Sequence, residues 1–366
     1  MSEDKNKQDN QNDAGSEEFI FEELEQLSKT IDGIESIPPL LESRLRQMVT
    51  RLNRMARLGH YSSEFDTLSR YIEVVAEIPW GKETKDKLDL EGTKEMLDST
   101  HYGMDSVKER ILEYLATLIL IEKRGGKMFA KTPVLLFVGL QGVGKTTLAI
   151  SIAKALEREF VRVAMGGIGS TLELRGRSKS LPSAEPGQIV KALIKADVKN
   201  PVILLDEIEK ASGEKGLLSD IMAVLLEILD PNQNQEFRDH YVDFPVDLSD
   251  VLFICSANNT GTISTALMDR MEVIKMPSYT DDEKMVIARD YLLPDIFERS
   301  GLQAGELVID NEIWPNIVRP FGYDSGIRSL ERTLESICRK VAKEIVEGSA
   351  QQVHLTQDNL KYYLPR

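Results

Sequence analysis

Gly139-Leu140-Gln141-Gly142-Val143-Gly144-Lys145-Thr146 satisfies the pattern G-x-x-x-x-G-K-S/T, followed by Thr147. It stands between a short buried-strand pattern, Pro133 to Val138, and an apolar run at helical spacing. That setting is the one in which glycines let backbone N–H groups curl around an anion, while the next helix offers unpaired donors and the positive end of its dipole. Lys145 has the reach to meet outer phosphates, and the Thr146 hydroxyl is a magnesium donor. All nine residues from Gly139 to Thr147 are therefore expected to form a nucleotide-phosphate site.

Further along, Pro201-Val202-Ile203-Leu204-Leu205-Asp206-Glu207 is an apolar run ending in two carboxylates. Asp206 suits a magnesium ion held through water, and Glu207 suits orientation and polarisation of an attacking water. An Asp-Glu pair after a strand also serves as a simple helix cap, so the assignment leans on the upstream loop. Ser256-Ala257-Asn258-Asn259 ends another strand pattern, placing the Asn258 amide where it can meet both water and terminal phosphate; a turn asparagine is the plainer reading. Arg270, in Asp269-Arg270-Met271-Glu272, and Arg328, in Gly326-Ile327-Arg328, each offer a permanently charged donor fork for phosphate. The alternative for both is a surface ion pair.

These groups need a scaffold that gathers strand ends. Strand patterns recur at Val134–Val138, Phe160–Met165, Val202–Leu205, Val251–Cys255 and Val273–Met276, with helical patterns between them, such as Leu148, Ile152, Leu156 and Phe160. This alternation predicts an α/β core with a five-stranded parallel sheet whose carboxyl ends carry the site. Ahead of it, residues 17–124 read as a helical region and residues 1–16 as a disordered acidic tail. The region opens with an acidic amphipathic helix from Phe19. An arginine-rich helix follows, with Leu41, Leu45, Met48, Leu52 and Met55 as its seam and Arg44, Arg46, Arg51, Arg54 and Arg57 around it. Gly125 and Gly126 break the last of these helices and open the core, residues 125–279. Residues 280–366 read as a small helical domain, opened by a capping box at Thr280-Asp281-Asp282-Glu283.

The 366 residues carry a formal net charge of -15, from 45 basic and 60 acidic side chains, which argues against general nucleic-acid binding. The arginine-rich helix has no interleaved aromatics, so a solvated or ion-paired face is the expectation there. No run of about 18 apolar residues occurs, and the first ten residues lack a secretory apolar core, so no membrane association and a cytoplasmic location are expected. Cys255 and Cys338 lie far apart in apolar patterns, and His60, His101, His240 and His354 are scattered. Neither disulfide frameworks nor a cysteine or histidine metal site is expected.

Taken together, G-L-Q-G-V-G-K-T-T, L-L-D-E-I-E-K, the block from L-L-E-I-L-D-P-N-Q-N to V-D-L-S-D-V-L-F-I, and L-M-D-R-M-E-V-I resemble the AAA+ ATPase module of the Lon proteases. Support extends to I-P-W-G-K-E-T and H-Y-G upstream and S-G-I-R-S-L-E-R downstream, so the resemblance covers about residues 38 to 366. It implies an AAA+ P-loop NTPase core with a helical lid, ATP and Mg2+ as the cofactors, and protein substrates. It makes Asn258 the first sensor, Arg328 the second, and Arg270 a finger completing a neighbour's site in a homo-oligomeric ring, a hexamer in this family. Through H-Y-G it adds Tyr102 to the nucleotide contacts. Two departures stand out. No P-K-D-G-P-S-A-G peptidase segment is present, so peptidase activity is not expected from this chain alone and a separate peptidase is an expected partner. Where the family's pore loop carries an aromatic residue within R-R-T-Y-I-G-A-x-P-G, this chain has Arg177-Ser178-Lys179-Ser180-Leu181-Pro182-Ser183. Leu181 offers less apolar area for gripping a polypeptide. Two readings follow: a ring ATPase that unfolds and moves proteins, or a nucleotide-dependent assembly switch that threads nothing.

Overall fold

The computed structural model describes residues 21–58, 63–126, 132–181, 183–211, 217–319 and 326–365. The expected tail at 1–16, Pro182 and residues 320–325 lie outside them. In chain order the helical front comprises α1 (21–32), α2 (Pro39–Arg57), α3 (Ser63–Ala76), α4 (Leu90–Thr100) and α5 (Asp105–Lys123). The core follows as β1 (Val134–Val138), α6 (Lys145–Ala155), β2 (Phe160–Ala164), α7 (Thr171–Arg175), α8 (Gln188–Ala196), β3 (Val202–Asp206), α9 (Leu217–Leu229), β4 (Phe237–Arg238), β5 (Pro245–Val246), β6 (Leu252–Ala257), α10 (Thr265–Met268) and β7 (Met271–Lys275). Then come α11 (Asp281–Ile287), α12 (Leu293–Ser300), β8 (Leu307–Ile309), α13 (Trp314–Val318), α14 (Arg328–Val346), β9 (Val353–Leu355) and α15 (Leu360–Tyr363).

Five strands form one parallel sheet in the order β2-β3-β6-β1-β7, the five anticipated from the sequence within a residue or two. The three central strands β3, β6 and β1 are near-continuous apolar runs because they are buried on both faces, whereas the edge strands β2 and β7 carry the exposed Arg162 and Lys275. Leu135, Phe137, Val202, Leu204, Leu252 and Ile254 point into one core with α4, α5 and α6. The alternating residues Val134, Leu136, Ile203, Leu205, Phe253 and Cys255 point into the other, with residues of α1, α2, α3, α8 and α9. The helical front thus supplies cover to both faces of the sheet. A third core unites α12, α13, α14 and the β8-β9 pair. Cys255 and Cys338 are free and buried in two of these cores.

Two local readings shift. Helix α6 closes at Ala155, so Leu156 caps it and Phe160 belongs to β2 rather than to the helical repeat. On α2 the buried seam is Leu41, Leu45, Val49, Leu52 and Ala56; Met48 and Met55 sit at its margin, because the helix packs with a 3.6 rather than a heptad period. The same helix pairs Arg46 with Asp32 and Glu42 at 2.7 Å, Arg51 with Glu64, and Arg44 with Asp243 at 3.4 Å. Such exposed pairs contribute little, because solvent and salt screen them. A buried leucine contributes about 1.5–3 kcal/mol, so the seam rather than the arginines fastens this helix. The helix starting at Asp281 is interrupted by a π-type turn over Ala288–Leu292, with Pro294 just inside α12. Among the described residues no helix is long and apolar enough to cross a membrane.

Candidate functional site

The loop after β1 folds over the start of α6. Gly142 and Gly144 adopt φ of +81° and +99°, a region that favours glycine. A Cβ on Gly139 would stand 2.9 Å from the Met276 carbonyl oxygen. Lys145 is 8% exposed, and its ammonium donates to the Gly139 and Leu140 carbonyls and, at 2.9 Å, to Asn258 Oδ1. Burial holds its pKa below the ordinary lysine value, opposed by Asp206, Glu209 and Glu207. Gln141, Gly142, Gly144, Lys145, Thr146 and Thr147 line a cavity of about 370 Å³. Gly139, Leu140 and Val143 do not: Val143 is buried in the core, and Leu140 is half exposed.

Asp206, Glu207 and Asn258 line the same cavity, because β3 and β6 are neighbours whose carboxyl ends are level. Asp206 is 5% exposed. Its Oδ1 accepts from Ser256 Oγ, and its Oδ2 accepts from Arg162 Nε at 2.6 Å. Glu207 occupies the left-handed region at φ +60°, unusual for a side chain of its size, and its N–H donates to Ser256 Oγ at 3.1 Å. Its carboxylate accepts from Lys210 at 2.7 Å and Gln141 at 3.4 Å, and the Lys210 bond leads the effects that hold its pKa below the usual carboxylate value. The Asn258 amide is fixed from behind: Nδ2 donates to Glu209 Oε1 at 2.7 Å, which turns Oδ1 toward Lys145.

Arg328 is the first residue of α14 and also faces this cavity. The segment before it docks on the loop, with Ile327 N–H donating to the Gly142 carbonyl at 3.1 Å. The approach is close enough that a Cβ on Gly326 would lie 2.4 Å from the Gln141 carbonyl oxygen. One end of the cavity is walled by Tyr102, Ile287, Tyr291, Leu292 and Ile327, an apolar slot suited to a planar base. The π-type turn presents Tyr291 to Tyr102 with ring centres 6.3 Å apart.

Several residues here went unread in the sequence. His101 is 5% exposed, its Nδ1 2.9 Å from Thr100 Oγ1 and its Nε2 2.9 Å from Thr147 Oγ1. Burial pushes its pKa down to about 4, so the ring is neutral behind the loop. Its only sequence signal was its place beside Tyr102. Arg162, Ser256 and Glu209 carried none beyond adjacency to a strand end or to Glu207.

Arg270 stands outside the cavity, between α10 and β7, 3.0 Å from the buried Asp230 carboxylate. The described residues of the Arg177–Gly187 stretch also stay outside it. The stretch closes on itself through Arg177 N–H to the Glu185 carbonyl at 2.8 Å, and Lys179 lies 4.2 Å above the Tyr71 ring centre. Leu181 is 48% exposed. Gly187 is held to the buried Asp239 carboxylate at 2.7 Å and sits so near Leu174 that a Cβ would meet its carbonyl oxygen at 2.0 Å.

The residues fit a magnesium nucleotide. Backbone donors at a glycine turn and helix start suit phosphates, and the buried Asp206 and the Thr146 hydroxyl line the same cavity as hard oxygen donors of the kind magnesium takes together with phosphate oxygens.

Comparison with known proteins gives the same outline. Residues 135–278 match the ATPase family associated with various cellular activities (AAA), and residues 298–353 match the Lon protease AAA+ ATPase lid domain, together more than half of the chain. The chain is 42% identical over 325 residues to a Lon protease of Halothermothrix orenii, spanning 88% of this chain and 40% of the relative. It is 43% identical over 336 residues to a Lon protease of Trichlorobacter lovleyi, 92% of this chain and 40% of the relative. With Lon protease 2 of Thermus thermophilus it shares 41% identity over 350 residues, 94% of this chain and 43% of the relative. The chain thus spans about two fifths of the length of the curated relatives it matches.

Proposed function

The chain belongs to the Lon-type AAA+ ATPases, with the nucleotide-binding domain and the lid of that family, and on that premise we propose that it hydrolyses Mg-ATP in a ring and applies the energy to protein substrates. The observation that carries this reading is the convergence of Lys145, Asp206, Glu207, Asn258 and Arg328, from the sheet and the lid, on one cavity. Lys145 exchanges its carbonyl partners for the outer phosphates. Glu207, ionised at neutral pH, orients the attacking water and takes its proton as the bond from the β–γ bridging oxygen to the γ-phosphorus breaks. Asn258 helps position that water, and Arg328 reports the phosphate to the lid. Magnesium, held by Thr146 and Asp206, would spread the charge of the phosphate oxygens. Tyr102 stacks on the base. Arg270, outside its own cavity, serves the site of the adjacent subunit. A homohexamer in the cytoplasm, serving proteolysis with a peptidase, completes the reading; the relatives above carry the name Lon protease.

A second reading, a nucleotide-dependent assembly switch, draws on the Arg177–Gly187 stretch, where Leu181 stands in place of an aromatic residue and the loop is hydrogen-bonded to itself. Hydrolysis measured with and without an unfolded casein-type protein separates the two. Threading predicts several-fold stimulation that Leu181→Gly removes while basal turnover stays; turnover indifferent to both favours the switch.

A further inference from the structure

The carboxylate at the end of β3 is already held by three donors of its own chain. Asp206 Oδ2 accepts from both Nε and a terminal nitrogen of Arg162 at 2.6 Å, and Oδ1 accepts from Ser256 Oγ. Arg162 is on the neighbouring strand β2, two residues before Ala164, whose register partner is Asp206. It occupies an exposed position of that strand, and its side chain reaches the Asp206 carboxylate and lines the cavity. The two partners differ in setting: the Asp206 side chain is 7% exposed and that of Arg162 48%. A buried carboxylate stripped of its cation is costly, whereas a half-exposed arginine keeps much of its hydration and gives up a contact cheaply. The pair therefore stabilises the carboxylate yet remains open to exchange.

We infer that Arg162 is a resident counter-cation for Asp206, holding the carboxylate when no metal nucleotide is present and yielding it to the divalent cation when one enters. It is a positioning residue: it keeps the Asp206 carboxylate aimed, and it sets the magnesium concentration at which the site loads. The inference rests on the reading of Asp206 as the metal-holding carboxylate.

The test uses the whole chain with Arg162→Met, Arg162→Lys and Asp206→Asn. Two quantities are read: the magnesium concentration that half-maximally tightens binding of a fluorescent ADP analogue, titrated from EDTA, and the melting temperature in EDTA and in Mg-ADP. Arg162→Met is expected to lower the half-saturating magnesium about tenfold, the size of a lost charge-assisted contact. It is also expected to melt below wild type in EDTA, with that gap closing in Mg-ADP. Arg162→Lys, which keeps the charge without the fork, should fall between the two, and it carries the test alone if the methionine variant does not fold. A melting gap of equal size in both media would mark Arg162 as merely structural, and an unchanged or raised magnesium requirement would overturn the exchange. If Asp206→Asn keeps the wild-type response to magnesium, the metal reading fails and the exchange with it. If Asp206→Asn loses that response while Arg162→Met matches wild type, the exchange alone fails.

Discussion

His101 shows what burial does to a single group at this site. Its imidazole, between Thr100 and Thr147, is pushed down to about 4 from an ordinary value of 6.5. Between those values the unfolded chain takes up a proton that the folded one refuses. The contribution is therefore complete above about pH 6.5 and is lost as pH falls toward 4. For one group with that shift the loss is on the order of 2–3 kcal/mol. Denaturant unfolding of wild type and His101→Gln across pH 4 to 7 checks this: the glutamine variant should show the shallower dependence, and parallel curves would contradict it. At this scale the phosphate loop and Asp206-Glu207 were legible because each is contiguous in sequence and its chemistry depends on neighbours along the chain. Arg162 and Ser256 were not, because their contacts arise from strand order: β2 and β6 flank β3, and only that adjacency brings them onto Asp206; His101 was not, because it meets Thr147 only where the end of α4 packs on α6.

Among the elements, α14 is the one whose start meets the glycine loop. Its approach to the loop depends on Gly326, where any side chain meets the Gln141 carbonyl, and on the bond from Ile327 to Gly142. Gly326→Ala is predicted to push the lid off the loop at a cost of about 1–3 kcal/mol, weakening nucleotide binding roughly tenfold with unchanged far-UV circular dichroism. Equilibrium binding of a fluorescent nucleotide reads this, and wild-type affinity would contradict it. The central sheet strands were readable because burial on both faces makes them continuous apolar runs between turns. The end of α6 was harder: Leu156 and Phe160 keep a helical spacing by coincidence, while Glu157, at φ +56°, turns the chain out of the helix. The π-type turn at Ala288–Leu292 had no signature beyond the nearby Pro294, yet it brings Tyr291 to the base slot. The seam of α2 was misread by one position because the heptad template and the 3.6-residue period share Leu41, Leu45 and Leu52.

For the molecule as a whole, the helical front and the nucleotide core are bound through common apolar interiors, so nucleotide-driven movement is expected mainly in the lid, which has a core of its own and meets the nucleotide core through Ile287, Tyr291, Leu292 and Ile327. Arg270, held by Asp230 and absent from its own cavity, has a purpose in hydrolysis only if a second copy brings it to another site. The central claim, ATP hydrolysis at a site completed by a neighbour, is tested most directly by mixing two inactive variants, Glu207→Gln and Arg270→Ala, and measuring steady-state phosphate release. Each alone should bind ATP and turn it over at least about a hundredfold more slowly than wild type. An equal mixture should recover about a quarter of wild-type turnover, since sites with an intact glutamate then meet an intact arginine from the adjacent subunit by random pairing. Wild-type turnover by Glu207→Gln alone, or no recovery at any mixing ratio, would contradict the account.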